Sequence, residues 1–271
     1  MQVSFWSSYH QQGTTSNIIA TGLYIALKYR LSILMTHNHF DRSVLESAFI
    51  DKSYINHNLL DFSDTGLDAL IRFIKFNKIE KDDISSYTTT ILKGRLDLLI
   101  GTRSSNWDIY QNNLNDTMQL IIQSANSYYD LVFIDTAPGQ NNSSQTIIQN
   151  SDLVVINLSQ NPNTIEYFLE NYSEYKEKAL FLIGKYDYNS RYNIKNLKRR
   201  FNINNILSIP YCIGFADACI ESRIVDFFIR NIDIDKNDVY SNFFEGVESA
   251  AKSILTTLGI EESLKNIAGG L

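Results

Sequence analysis

Two stretches of this sequence carry side chains that folding alone does not explain. The first follows the apolar run Val3–Trp6 and reads Ser7-Ser8-Tyr9-His10-Gln11-Gln12-Gly13-Thr14-Thr15-Ser16-Asn17 before a helical pattern begins. A strand, a glycine turn and a set of hydroxyl residues opening a helix can hold a polyphosphate. Backbone N–H groups and the positive end of the helix face the anion, and a hydroxyl reaches an accompanying Mg²⁺. The second stretch is Tyr129-Asp130-Leu131-Val132-Phe133-Ile134-Asp135-Thr136-Ala137-Pro138-Gly139. There an apolar run ends in Asp135, and a carboxylate beside a core strand is costly unless it has a charged task. Each stretch also has a plain alternative. Gly-Thr-Thr-Ser is a common helix N-cap sequence, and Asp135 could cap a helix or a turn.

The elements that must position these residues can be read from the periodicity. Strand candidates are Val3–Trp6, Ser32–Met35, Leu96–Ile100, Leu131–Asp135, Leu153–Leu158, Leu180–Ile183 and Ile206–Ile209. Helical patterns cover Ser16–Lys28, Gly66–Phe76, Leu114–Ser127, Thr164–Lys176, Asn193–Phe201 and the amphipathic stretch Phe243–Leu258. Strands alternating with longer helical segments imply βαβ units on a parallel sheet. Near-continuous apolar runs imply strands covered on both faces. In such a sheet ligands sit beyond the carboxyl ends of the strands, so the loops after Trp6, Met35, Asp135, Leu158, Ile183 and Ile209 are the ones to watch. Asn157, Ser159 and Gln160 are polar residues at one such end and leave room for an unrecognised substrate pocket.

Composition narrows the options. The 271 residues are 44% hydrophobic, with 3 prolines and 12 glycines, which favours one domain over residues 1–260 and a short tail at 261–271. No apolar run approaches the roughly 20 residues of a membrane helix. The N-terminus lacks the pattern of a signal peptide. Glu261 and Glu262, after the last helical stretch, disfavour adhesion to an anionic membrane. The net charge of −6 encodes no general affinity for nucleic acid. Cys212 and Cys219 form neither a CxxC pair nor a zinc knuckle and suggest a reducing, cytoplasmic setting. Of the histidines, His37 and His39 alternate across a strand end but have no cysteine or carboxylate cluster beside them, so they read as loop histidines rather than metal ligands.

The Gly13 loop resembles the deviant Walker A loop of ParA/MinD ATPases, Lys-Gly-Gly-X-Gly-Lys-Thr-Thr. The Asp135 stretch is similar to that family's YDxxxIDTPPG segment, and Ile209-Pro210-Tyr211 to its late Ile-Pro loop. The resemblance spans Met1 to about Leu258 and implies a doubly wound α/β P-loop fold, a mostly parallel sheet of seven or eight strands with helices on both faces. It also implies nucleotide binding by Gln12, Gly13, Thr14, Thr15, Ser16, Asp135 and Pro210, with Thr15 and, through water, Asp135 serving Mg²⁺.

The departures from the family pattern carry as much weight. Tyr9 stands at the place of the signature lysine, Thr14 at that of the phosphate-binding lysine, and His10 and Gln11 replace two glycines. Tyr9 and His10 have a second reading, filling the volume that a phosphate would take. After the second strand, Thr36 and Asn38 stand where the family has Asp-X-Asp. After the strand Leu180–Ile183, Gly184-Lys185-Tyr186-Asp187 stands where relatives have an adenine-reading asparagine, and Asp187 has the alternative of a turn residue. The resemblance therefore implies a pseudo-ATPase, with ATP or ADP and Mg²⁺ or no cofactor at all, and with no catalytic residue.

Within the family the loop is most similar to those of TadZ/CpaE-type localisation proteins, although the chain opens directly on its first strand, without their receiver-like domain. A homodimer and a protein partner from an assembly system are implied. The alternative is DNA segregation through the basic cluster Lys195, Lys198, Arg199 and Arg200, which also reads as a solvated helix face. A third class, a ligase- or reductase-like enzyme on the same sheet, finds no acid–base pair in the sequence.

Overall fold

The computed structural model describes residues 1–40, 44–51, 64–104, 106–139 and 141–260. His57 and the tail 261–271, with Glu261 and Glu262, lie outside the described residues. The chain runs β1 (Gln2–Trp6), α1 (Thr14–Lys28), β2 (Ile33–His37), α2 (Val44–Phe49), α3 (Leu67–Phe76), β3 (Thr89–Leu92), β4 (Leu96–Leu98) and α4 (Trp107–Tyr128). It continues with β5 (Leu131–Asp135), α5 (Asn142–Gln149), β6 (Leu153–Leu158), α6 (Pro162–Asn171), β7 (Ala179–Tyr186), α7 (Ile194–Phe201), β8 (Ile206–Pro210), α8 (Ile213–Ile220), α9 (Ile224–Asn231) and α10 (Ser241–Thr257).

One eight-stranded sheet has the order β3-β4-β2-β5-β1-β6-β7-β8. It is parallel throughout except for β3, which pairs antiparallel with β4 at one edge. This is the doubly wound α/β architecture that the alternating pattern implies. The central strand β1 lies between β5 and β6, so the strand order reverses at its carboxyl end, where such sheets hold their ligands.

Strand alternation sorts the side chains into two layers. Val3, Phe5, Leu131, Phe133, Leu153 and Val155 join the core under α1, α8, α9 and α10. On the opposite face, Leu34, Val132 and Ile134 pack with α3 and α4, whereas Trp6, Val154, Ile156 and Phe181 pack with α6. The same parity directs the polar residues at the strand ends. Asp135 follows Leu131 and Phe133 toward the α1 side, and Asn157 follows Leu153 and Val155. Asn157 then accepts a 2.7 Å hydrogen bond from Asn17 of α1.

Several boundaries differ from the periodicity. The helix expected from Leu114 begins at Trp107, because the Asn106 side chain caps it by accepting from Ile109 N–H. The pattern Thr164–Lys176 is two elements. Asn161 and Pro162 start α6, which ends at Asn171, and a 3₁₀ turn over Ser173–Lys178 follows. β3 is short and half-exposed and leaves no apolar signature. No described helix is long and apolar enough to cross a membrane.

Candidate functional site

The site is built where β1 and β5 end and α1 begins. Gly13 precedes α1 with φ 82° and ψ 14°, a left-handed conformation that glycine adopts without steric cost. No side chain caps the helix, and its first turn contains no acid. Its opening N–H groups are therefore left to an external acceptor. Gln11 is left-handed as well, at φ 63°. Within the loop, Ser7 Oγ donates to Tyr9 O at 2.7 Å and Thr14 Oγ1 donates to Ser7 Oγ at 3.2 Å.

Thr15 and Asp135, assigned together to Mg²⁺ from the sequence, converge. Thr15 Oγ1 donates to Asp135 Oδ2 at 2.6 Å. Asp135 is fully buried, and its Oδ1 has no hydrogen bond. His39 Nε2 lies 3.4 Å from Oδ1, within ion-pair distance but not aligned as a hydrogen bond. A cavity of about 240 Å³ opens over this pair, lined by the loop residues Ser7 and His10–Ser16 together with His39, Asp135, Pro138 and Lys185. Pro210, the remaining candidate, lines an adjoining, more apolar cavity of about 340 Å³, which shares Ser16, Val44 and Lys185 with the first.

Other expectations resolve differently. Tyr9 does not fill the phosphate space: it is 41% exposed and packs against Tyr167 of α6, with ring centroids 4.9 Å apart. His10 does line the cavity. Thr36 turns away and donates to Leu99 O, and Asn38 is a buried structural knot. Asn38 Nδ2 donates to Ser143 Oγ and Ser144 Oγ, and its Oδ1 accepts from Ala137 N–H at 2.7 Å. Among the described residues of this loop, His39, between the expected positions and α2, is the one that reaches the cavity.

His37 is also not a loop residue. It ends β2, buried, with Nε2 2.5 Å from Glu46 Oε1, which in turn accepts from Gly101 N–H. Burial works against the charged imidazole, but the Glu46 carboxylate outweighs it and raises the His37 pKa above its usual value. Burial likewise opposes the Glu46 carboxylate, and His37 together with the Gly101 hydrogen bond holds its pKa below the usual range. Among the described residues no cluster of three metal-ligating side chains exists.

Asn157, Ser159 and Gln160 are committed to structure rather than to a pocket. Asn157 binds Asn17, Ser159 pairs with Thr164, and Gln160 exchanges hydrogen bonds with Asp187 N–H and O. Asp187 is a turn residue, accepting from Asn189 N–H. The two free thiols, Cys212 and Cys219, both line the apolar cavity, and burial raises both thiol pKa values, Cys219 to about 12. On α7, Lys195 and Arg199 are exposed, and Arg200 pairs with Glu166 at 2.8 Å.

The motif around Asp135 divides its labour along β5. At the far end Tyr129 Oη donates to Asp97 and Asp130 accepts from Ser32 N–H and Oγ. Tyr129 and Asp130 therefore anchor the start of β5, and the other end of the motif, Asp135, Thr136 and Pro138, lines the cavity.

Residues that sequence reasoning missed are Lys185 and His39. Lys185 carried a signal, being a cation just beyond the apolar core of a strand, at the carboxyl edge of the sheet.

No family model matches this chain, and no curated protein matches it in sequence. In three dimensions it is similar to solved ATPases. A ParA family ATPase from Chlorobium tepidum TLS superposes with a TM-score of 0.71 at 11% identity, covering 93% of this chain and 98% of that one. The septum site-determining protein MinD complexed with Mg-ADP from Pyrococcus horikoshii OT3 gives 0.70 at 12% identity, covering 95% and 97%. The MinC:MinD cell division protein complex of Aquifex aeolicus gives 0.64 at 13% identity, covering 98% and 99%. The chain thus has the fold of ParA/MinD ATPases over nearly its whole length.

Proposed function

We propose that this chain binds an adenine nucleotide with Mg²⁺ at the Gly13 loop, hydrolyses it at a rate near background, and acts as a spatial organiser or assembly scaffold. The observation that carries this reading is the convergence of Thr15 and Asp135 under a cavity whose floor is an uncapped helix N-terminus. The buried Asp135 Oδ1, which accepts no hydrogen bond, is the kind of atom that a hydrated cation would satisfy, so the residues fit the group. Thr15 Oγ1 and, through water, Asp135 would hold Mg²⁺. The ion supplies charge neutralisation of the phosphates when bound.

The N–H groups from Gly13 to Ser16 orient the phosphates, with Gln12 beside them. Pro210 borders the adjoining cavity, whose apolar walls suit the rest of a nucleotide. Hydrolysis depends on positioned charge. The loop has Tyr9 and Thr14 in place of its lysines, and Asn38 is tied into the β5–α5 connection. Each lost charge contact costs roughly 10²–10³ in rate. Binding without turnover is therefore the expected behaviour.

The localisation or scaffold role, of the TadZ/CpaE kind, draws support from the altered loop and from an apolar rim beside the site. Val44, Tyr211 and Ile220 border the second cavity while 63%, 59% and 68% exposed. Such a rim suits a second copy or a protein partner. The Aquifex neighbour is itself a complex of two different proteins. A cytoplasmic setting fits this role. A second reading, DNA segregation, rests on the solvent-facing Lys195 and Arg199 of α7.

The test is calorimetric titration of Mg-ATP and Mg-ADP into the protein, with Asp135→Ala as control, alongside a steady-state phosphate-release assay. Saturable binding lost in the variant, without turnover, is expected. Robust hydrolysis abolished by Asp135→Ala would overturn the pseudo-ATPase reading, and absence of binding would overturn nucleotide binding itself.

A further inference from the structure

The cavity over Thr15 and Asp135 has a hydroxyl floor, helix N–H groups and a buried carboxylate, but its own loop supplies no lysine. Charge balance makes this a problem for an anionic ligand. Asp135 repels phosphate unless cations intervene, and one Mg²⁺ does not neutralise a di- or triphosphate. Among the described residues lining the cavity Lys185 is the one lysine or arginine.

Lys185 reaches the cavity through an irregularity in β7. The β7–β8 ladder runs regularly to Ile183 opposite Ser208, shifts register, and resumes at Tyr186 opposite Pro210. Gly184 and Lys185 form the irregularity. Gly184 is pressed against the loop: a Cβ there would lie 3.0 Å from Asn17 Nδ2 and 3.3 Å from Gln12 O. Lys185 follows at φ 52°, in the left-handed region that L side chains seldom occupy. Its side chain is exposed and makes no ion pair or hydrogen bond among the described residues. The backbone thus departs from its preferred conformation at a lysine that borders both cavities.

We infer that Lys185 supplies the positive charge for the phosphates of the bound nucleotide, in place of the lysine absent from the loop. The inference rests on the nucleotide reading proposed above. Because Lys185 stands between the loop cavity and the Pro210 cavity, it serves the phosphates nearer the nucleoside rather than the terminal one. Two consequences follow. Mg-ADP and Mg-ATP depend on it equally, and it supports binding without restoring hydrolysis.

The test uses Lys185→Gly, which removes the ammonium while suiting the left-handed backbone, so that the variant folds. Lys185→Arg is the charge-preserving partner. Calorimetric titration of wild type and both variants with Mg-ADP and Mg-ATP is expected to show a loss of about tenfold to hundredfold in Lys185→Gly, similar for both nucleotides, the range of one charge-assisted hydrogen bond. The salt dependence should become shallower, and most of the affinity should return in Lys185→Arg. Thermal melting of Lys185→Gly at or above the wild-type midpoint certifies the fold. Wild-type binding that survives unchanged in Lys185→Gly would overturn the role of Lys185 and leave the nucleotide reading standing. A wild type that binds neither nucleotide would overturn both.

Discussion

Thr15 and Asp135 are 120 residues apart in the sequence, yet the Thr15 hydroxyl donates a 2.6 Å hydrogen bond to a carboxylate with no exposed surface. The bond ties the first turn of α1 to the carboxyl end of β5 and holds together the two groups assigned to one cation. Removing the hydroxyl strips Asp135 Oδ2 of this bond while Oδ1 already accepts no hydrogen bond. Thr15→Ala should therefore lower stability by about 1.5–3 kcal/mol in ligand-free protein, the range for hydrogen bonds to charged groups. A double-mutant cycle with Asp135→Asn, read by urea denaturation, should give a coupling above about 1 kcal/mol. Additive effects would mean that the contact does not hold the site together.

The His37–Glu46 pair predicts a pH dependence with a definite sign. The raised His37 pKa gives a contribution that is whole below about 6.5, its ordinary value, and is lost as pH rises through the higher folded-state pKa. The lowered Glu46 pKa gives one that is whole above about 4.5 and is lost as pH falls through the lower folded-state pKa. The pair thus stabilises most between those values. In Glu46→Gln, burial favours the neutral imidazole against only the weaker pull of the Asp135 carboxylate, so the His37 contribution should instead grow as pH rises toward about 6.5 and stay level above it. Chemical denaturation of both proteins from pH 5 to 8.5 checks this, and parallel profiles would refute it.

Asn38 joins β2 to the turn after β5 and to the start of α5 through two buried hydrogen bonds to Ser143 and Ser144 and a part-buried one from Ala137 N–H. Asn38→Ala leaves these groups without that partner and should cost about 2–4 kcal/mol. Urea unfolding at unchanged m-value is the measurement. A loss below 1 kcal/mol would mean that the neighbouring hydroxyls and N–H re-pair among themselves.

The basic face of α7 should bind DNA weakly at best. Arg200 is engaged by Glu166, and the chain as a whole carries a net charge of −6. Few free cations release few counterions, so no binding of a short duplex is expected at 150 mM salt. Gel-shift binding at that salt, abolished by replacing Lys198, Arg199 and Arg200 with alanine, would move the segregation reading ahead of the scaffold.

What the sequence determined by itself was everything encoded in contiguous residues. Buried parallel strands are unbroken apolar runs, so β5 and β6 show their true bounds, and a carboxylate ending such a run marks Asp135. A glycine before three hydroxyl residues marks the helix N-terminus that faces it. Only the tertiary structure decided what depends on two distant segments meeting. His37 is a buried ion-pair partner because α2 and the turn after β4 close over it. Tyr9 leaves the cavity because Tyr167 offers it a surface. Lys185 enters the cavity because a register shift in β7 coincides with the close approach of Gly184 to the loop. Periodicity reports burial along one element, whereas a binding site is a meeting of several ends, and no local pattern records which ends meet.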